Sequence, residues 1–184
     1  MPATEPEAVK LLPLPASLTD RGFVLRSEID ADIAFLRRLY ASTRWAELAP
    51  FANWSDAEKL AFLDSQFGLQ RHHYRTYYPA TEWGVLEHNG TPAGRLYLDR
   101  QAKTLHVIDI ALLPQWRGRG IGTTLMQWVC AQARAAGKTV TIAVEKYNRA
   151  QTLYRRLGFR DVSESGVHCY MQWHAPSDAP ANIS

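Results

Sequence analysis

A chain of 184 residues that is 46% hydrophobic and 21% charged reads as one globular domain with a sizeable core. Its net charge of +3 is mild and no dense Lys/Arg block occurs, which argues against nucleic acid and slightly favours an anionic ligand. No run of about 18 apolar residues offers a membrane span, and Cys130 and Cys169, in apolar contexts, read as buried free thiols of a reducing cytoplasm.

Residues 1–20 read as an N-terminal arm. Pro2, Pro6, Pro13 and Pro15 break it up, and it lacks the basic start and continuous apolar core of a signal peptide. Leu11, Leu12 and Leu14 offer apolar side chains for docking on the surface. Residues 23–26 form a short strand-like run. From Asp30 to about Ala46, the apolar residues Ile33, Phe35, Leu36, Leu39 and Tyr40 recur close to helical spacing. A second helix is expected from Ser55, because Ser55-Asp56-Ala57-Glu58 is a capping box in which serine and Glu58 satisfy reciprocal N–H groups. It continues through Leu60, Leu63, Phe67 and Gln70.

Residues 83–87 and 93–99 flank His88-Asn89-Gly90-Thr91, and Asn-Gly takes positive φ angles cheaply, which predicts a hairpin. Residues 104–113, the most apolar strand, follow a turn at Arg100-Gln101-Ala102-Lys103 and complete an antiparallel meander. A helix over about 121–136 puts Ile121, Leu125, Trp128 and Val129 on one face and ends at Gly137. The β-branched run 139–144 then closes a βαβ unit, so its strands pair in parallel. Residues 148–157 read as a short helix closed by Gly158, residues 159–162 and 167–173 as a last strand pair, and residues 175–184 as a flexible tail. The fold class is α+β: a mixed, mostly antiparallel sheet in a single domain over 21–174.

The strongest chemical signal is Pro114-Gln115-Trp116-Arg117-Gly118-Arg119-Gly120-Ile121-Gly122-Thr123. Three glycines stand where a strand gives way to a helix. Bare backbone N–H groups gather there at a positive helix terminus, a cradle for phosphate. Arg117 and Arg119 add charge. A P-loop needs a lysine that this loop lacks, and Gly118-x-Gly120-x-Gly122 misses the dinucleotide spacing.

Gln115-x-x-Gly118-x-Gly120 instead resembles the pyrophosphate motif of the GCN5-related N-acetyltransferases (GNAT), an acyl-coenzyme A-dependent superfamily. Downstream, Asn148, Ala150, Leu153-Tyr154 and Leu157-Gly158-Phe159 resemble its second signature, in the expected order. The resemblance covers residues 96 to about 173. It implies a GNAT-like sheet flanked by helices, with a bulged strand that splays from its parallel neighbour. Acetyl-CoA is then the co-substrate, its pantetheine arm lying in the wedge along Ile110, Ala111 and Leu112. Its pyrophosphate is expected on the backbone N–H groups of Gly118, Arg119, Gly120, Ile121, Gly122 and Thr123. Arg117 and Arg119 read either as phosphate partners or as solvated charges. Asn148 matches the asparagine near the cofactor's thiol end, with Tyr147 taking that place in the other register. Tyr154 matches the tyrosine that gives a proton to the departing thiolate.

An amine nucleophile must also lose a proton. Asp109, an acid inside an otherwise apolar strand, is the leading candidate to take it; Glu145 is second and Glu82 third. The Leu112 N–H, placed in the bulge, is expected to polarise the acyl carbonyl. The resemblance therefore implies transfer of an acetyl group from acetyl-CoA to a primary amine by direct attack in a ternary complex. The alternative is a non-catalytic acyl-CoA-binding sensor or assembly module. No spacing among the histidines and cysteines resembles a metal site, so no metal is expected. The aromatic residues between Ser42 and Tyr78 read by default as packing of two helices on a sheet, and otherwise as an acceptor pocket. No nucleic acid or membrane is expected among the partners, and a homodimer is compatible with the habits of similar proteins.

Overall fold

Alternation in the sequence resolves into seven strands of one sheet in the computed structural model, which describes residue 11 and residues 13–176. They are β1 (Phe23–Ser27), β2 (Glu82–His88), β3 (Thr91–Arg100), β4 (Thr104–Leu112), β5 (Thr139–Glu145), β6 (Arg160–Ser165) and β7 (His168–Trp173). Their order across the sheet is β1-β2-β3-β4-β5-β7-β6, and the one parallel pair is β4 with β5. The β2–β3 hairpin turns on Asn89 and Gly90, at φ of 48° and 77°, the positive values a two-residue turn demands.

Five α-helices accompany the sheet among the described residues: α1 (Ala16–Thr19), α2 (Ile33–Arg44), α3 (Asp56–Tyr77), α4 (Ile121–Ala135) and α5 (Ala150–Arg156). The capping box opens α3, with the Glu58 N–H donating to Ser55 Oγ at 3.3 Å and the Ser55 N–H to Glu58 Oε2 at 2.7 Å. The single helix expected from Asp30 to Ala46 is α2 with a 3-10 turn at either end, Asp30–Asp32 and Trp45–Leu48. Residues 1–10 and 12 of the expected arm, and 177–184 of the expected tail, lie outside the described residues. Leu14 and Leu18 of that arm are buried in the main core, and the Trp128 indole donates to the Pro13 carbonyl at 3.1 Å.

Two cores sit on opposite faces of the sheet. Under α4, Leu125, Met126 and Val129 pack on Leu96, Leu98, Leu105, Val107, Val140 and Ile142. Each such fully buried side chain contributes roughly 1.5–3 kcal/mol. On the other face, Phe35, Leu36, Leu39 and Tyr40 of α2 join Leu63 and Phe67 of α3 over Val85.

One irregularity in β4 links the cores to the chemistry. Tyr97 on β3 pairs with Asp109, but Leu98 pairs with Val107, so Ile108 is an extra residue, a β-bulge. It reverses the alternation of the strand. Leu105 and Val107 before it, and Ile110 and Leu112 after it, pack in the α4 core, whereas Ala111 and Leu113 pack against the α2–α3 core. Asp109 therefore falls on the face covered by α2 and α3. The bulge also marks where the sheet opens: β4 and β5 pair from Thr104 with Thr139 as far as Val107 with Ile142, and no further. Close approach at the other edge of β4 needs a glycine. A Cβ on Gly94 would stand 2.5 Å from the Ala111 carbonyl oxygen and 2.7 Å from Leu112 Cδ2.

Candidate active site

Past the bulge, β4 keeps β3 as its neighbour on one side and has no strand on the other. The Leu113 N–H donates to the Ala93 carbonyl at 2.9 Å, so by strand alternation Ile110 and Leu112 turn their N–H and C=O groups to the open side. That exposed backbone edge is one wall of a wedge whose other wall is Ala143, Val144 and Glu145 of β5. The bulge itself corrects the expectation for Leu112: it lies at Ile108, four positions earlier, and Leu112 sits in regular register with Gly94.

At the end of the wedge the chain makes a 3-10 turn, Pro114–Trp116, and enters the glycine row. Gly118 and Gly120 adopt φ of 68° and 77°, and Gly120 starts α4 with no side-chain cap. The backbone N–H groups from Gly118 to Thr123 donate to no described residue; Thr124 is the first to join the helical ladder, on the Gly120 carbonyl at 2.9 Å. A row of unsatisfied donors thus meets the positive end of a 15-residue helix.

Arg117 is exposed and also bonds back to the protein. Its Nε donates to the Leu112 carbonyl at 2.8 Å and its Nη2 to Ser42 Oγ at 2.9 Å, which ties the loop to the end of α2. The Arg119 guanidinium lies 5.5 Å from the ring centroid of Trp116 at the surface.

The deep part of the wedge is a cleft that gathers residues from six elements. Asp109 and Tyr154 line it together with Glu145 and Asn148, and α2 and α3 contribute Arg44, Gln70 and Tyr74. Asp109 is fixed through one oxygen: its Oδ2 accepts from Arg95 Nη2 at 2.7 Å and from the Tyr74 hydroxyl at 3.2 Å. Arg95, on β3, is 4% exposed and also donates to Gln70 Oε1 at 2.9 Å. Burial opposes the charge on Arg95, and the facing carboxylate of Asp109, together with Tyr97 and Tyr74, more than offsets it.

Tyr154 is 4% exposed, yet its hydroxyl has no hydrogen-bond partner among the described residues. Burial, reinforced by the charge of Asp109, pushes its phenol well above the usual range. Burial and Asp109 do the same to Tyr74. Glu145 is ion-paired to Arg44 at 2.6 Å. Asn148 turns its Oδ1 to the Ala150 N–H at 2.9 Å, an Asx turn that delays the expected helix start to Ala150. Tyr147, the occupant in the other register, is 97% exposed and does not line the cleft. Nor does Glu82, which is buried against Arg100 at 2.5 Å.

The model of the acetyltransferase (GNAT) family matches residues 39–159. The chain belongs to that family. Among curated proteins it is similar to the thialysine N-epsilon-acetyltransferases of Bos taurus, 34% identical over 77 residues, and Mus musculus, 35% identical over 72 residues. Those matches take in 40% and 38% of this chain and 45% and 42% of the relatives, so the chain spans less than half of each curated relative it matches. Among solved structures it is similar to the PaiA N-acetyltransferase of Thermoplasma acidophilum in complex with coenzyme A. The TM-score is 0.61 at 16% identity, covering 83% of this chain and 99% of that one. YncA of Salmonella typhimurium, solved with acetyl-CoA, gives 0.52 at 22% identity, covering 89% and 99%. At these identities the likeness speaks for a shared fold.

Around the residues this GNAT chain was expected to use stand others that its motifs do not name. Arg95 and Tyr74 hold Asp109, and Arg44 holds Glu145. Of the aromatic residues between Ser42 and Tyr78, Phe67 is core and Tyr74 lines the cleft, while Trp54 stacks on Phe51 and Phe62 at 4.9 and 5.6 Å. No described helix is long and apolar enough to cross a membrane. Among the described residues, no group of three or more His, Cys, Asp or Glu side chains could hold a metal ion.

Proposed function

We propose that this GNAT chain is a cytoplasmic N-acetyltransferase that moves an acetyl group from acetyl-CoA to a primary amine. The observation that carries the reading is the unpartnered hydroxyl of Tyr154 in the same cleft as two carboxylates, Asp109 and Glu145. The co-substrate fits what the chain offers: free N–H groups from Gly118 to Thr123 for a pyrophosphate, and the open edge at Ile110 and the Leu112 N–H for an amide-bearing arm, the Leu112 carbonyl being held by Arg117.

Acetyl-CoA supplies an acyl carbon activated as a thioester. The amine nitrogen bonds to that carbon, the carbon–sulfur bond breaks, and Tyr154 gives its proton to the departing sulfur. A phenol raised by burial keeps that proton across the working pH range. The proton lost by the amine passes to Asp109, whose Oδ1 accepts no hydrogen bond from any described residue, with Glu145 as the second acceptor. The amine ends on a small molecule in this reading. The curated relatives are named for thialysine, so thialysine and lysine head the panel of acceptors to try.

The test is release of free coenzyme A thiol across an amine panel. Tyr154→Phe is expected to lower kcat by about 10²-fold with the acetyl-CoA Kd unchanged. Unchanged turnover in that variant removes the role assigned to Tyr154. A second reading has its own support, since Asp109 and Glu145 are each already paired with an arginine. Acetyl-CoA binding with no turnover on any amine would make the chain an acyl-CoA-binding module, and calorimetry without acetyl-CoA binding would overturn both.

A further inference from the structure

We propose that Arg95 is a positioning residue that grips Asp109 by Oδ2 and so turns its other oxygen, Oδ1, toward the arriving amine. This rests on the reading of Asp109 as the proton acceptor and goes beyond it, because nothing in the family motifs names Arg95.

The geometry is one-sided. Among the described residues, both hydrogen bonds to the Asp109 carboxylate fall on Oδ2, from Arg95 below it on β3 and from Tyr74 above it on α3. Oδ1 has none. Arg95 has no route to solvent: it is 4% exposed, its guanidinium lies 5.1 Å from the ring centroid of Tyr97, and its Nε is buried without a partner. An arginine cannot shed its proton, so a buried guanidinium demands an anion, and Asp109 is the one in contact with it. The bulge at Ile108 brings the two together by turning Asp109 to the face where Arg95 lies.

An amine acceptor entering the cleft therefore meets Oδ1 in a fixed orientation. Other groups face Asp109 from every side. Tyr97 stands beside Arg95 on β3, Tyr74 on α3 and Tyr154 on α5, all neutral phenols raised by burial. Arg44 and Glu145, ion-paired to each other, come from α2 and β5, and His168 from β7. Of the charged groups among them, Arg95 alone bonds to the Asp109 carboxylate.

The experiment is the split between kcat and KM for an amine that the thiol-release panel finds, on the full chain. Arg95→Met is expected to lower kcat by about tenfold or more, with the amine KM and the acetyl-CoA Kd unchanged. Arg95→Lys, which keeps a donor for Oδ2, recovers part of that loss. Tyr74→Phe, which deletes one hydroxyl and leaves the interior filled, lowers kcat by less and keeps the test alive if Arg95→Met does not fold. Asp109→Asn lowers kcat at least as far as any of them. A kcat that Asp109→Asn leaves unchanged overturns the assignment of Asp109 itself. A kcat that falls in Asp109→Asn but stays put in every folded Arg95 and Tyr74 variant overturns the role of Arg95 alone.

Discussion

Arg44 Nη2 at the C-terminal end of α2 donates to Glu145 Oε1 at the C-terminal end of β5, across 2.6 Å. Two residues earlier on the same helix, Ser42 takes a hydrogen bond from Arg117, at the far bank of the wedge. The end of α2 is therefore held to both sides of the gap between β4 and β5. Arg44→Ala is expected to cost about 1 kcal/mol, since both partners are partly exposed, and a double-mutant cycle with Glu145→Gln returns a coupling of that size. Stopped-flow measurement should also find acetyl-CoA leaving several-fold faster from the variant, because the helix end no longer spans its exit.

Gly120 and Gly122 stand two residues apart and should respond differently to alanine. At Gly120 a Cβ meets open space, but φ of 77° belongs to the left-handed region, so Gly120→Ala costs about 1–2 kcal/mol from the backbone alone. Relief of that strain displaces the N–H row, and calorimetry should record a weaker acetyl-CoA Kd. At Gly122, inside the first turn of α4, φ is not positive and the nearest contact to a Cβ is Leu112 Cδ1 at 4.0 Å. Thermal melting of Gly122→Ala is expected at or above the wild-type Tm.

Burial pushes the Cys130 thiol up to about 12 and the Cys169 thiol up as well, and Cys169 Sγ donates to Asp161 at 3.3 Å. Neither is a thiolate near neutral pH. A disulfide reagent should titrate no protein thiol in the native state and both on unfolding in guanidinium. Prompt labelling of native protein would contradict the burial of both side chains. A flat background also makes thiol release a clean readout of coenzyme A.

The elements that sequence made legible were those set by local chemistry. The Asn89-Gly90 turn, the Ser55–Glu58 capping box and the glycine start of α4 each depend on residues within a few positions of one another. What stayed hidden depends on contacts between distant segments. Asp109 stood out as an acid in an apolar strand, but its partners Arg95 and Tyr74 lie 14 and 35 positions away. For Arg117, nothing local shows its bonds to Ser42, 75 positions away, and to the Leu112 carbonyl. The bulge stayed hidden for another reason: Ile108, Ala111 and Leu113 are apolar as well, so the change of phase from Leu105 and Val107 to Ile110 and Leu112 does not show in the sequence.

The bulge makes the active face of β4 a question of parity as well as composition. Every residue of the strand beyond Val107 owes its side of the sheet to one uncounted position. Were Ile108 counted into the ladder instead of standing out of it, Asp109 would turn into the hydrocarbon beneath α4 and Ile110 and Leu112 would face the cleft in its place, with no side chain altered. Deleting Ile108 would keep those faces, because Val107 and Asp109 already sit opposite the consecutive Leu98 and Tyr97, and would remove only the bend that the extra residue puts into the strand.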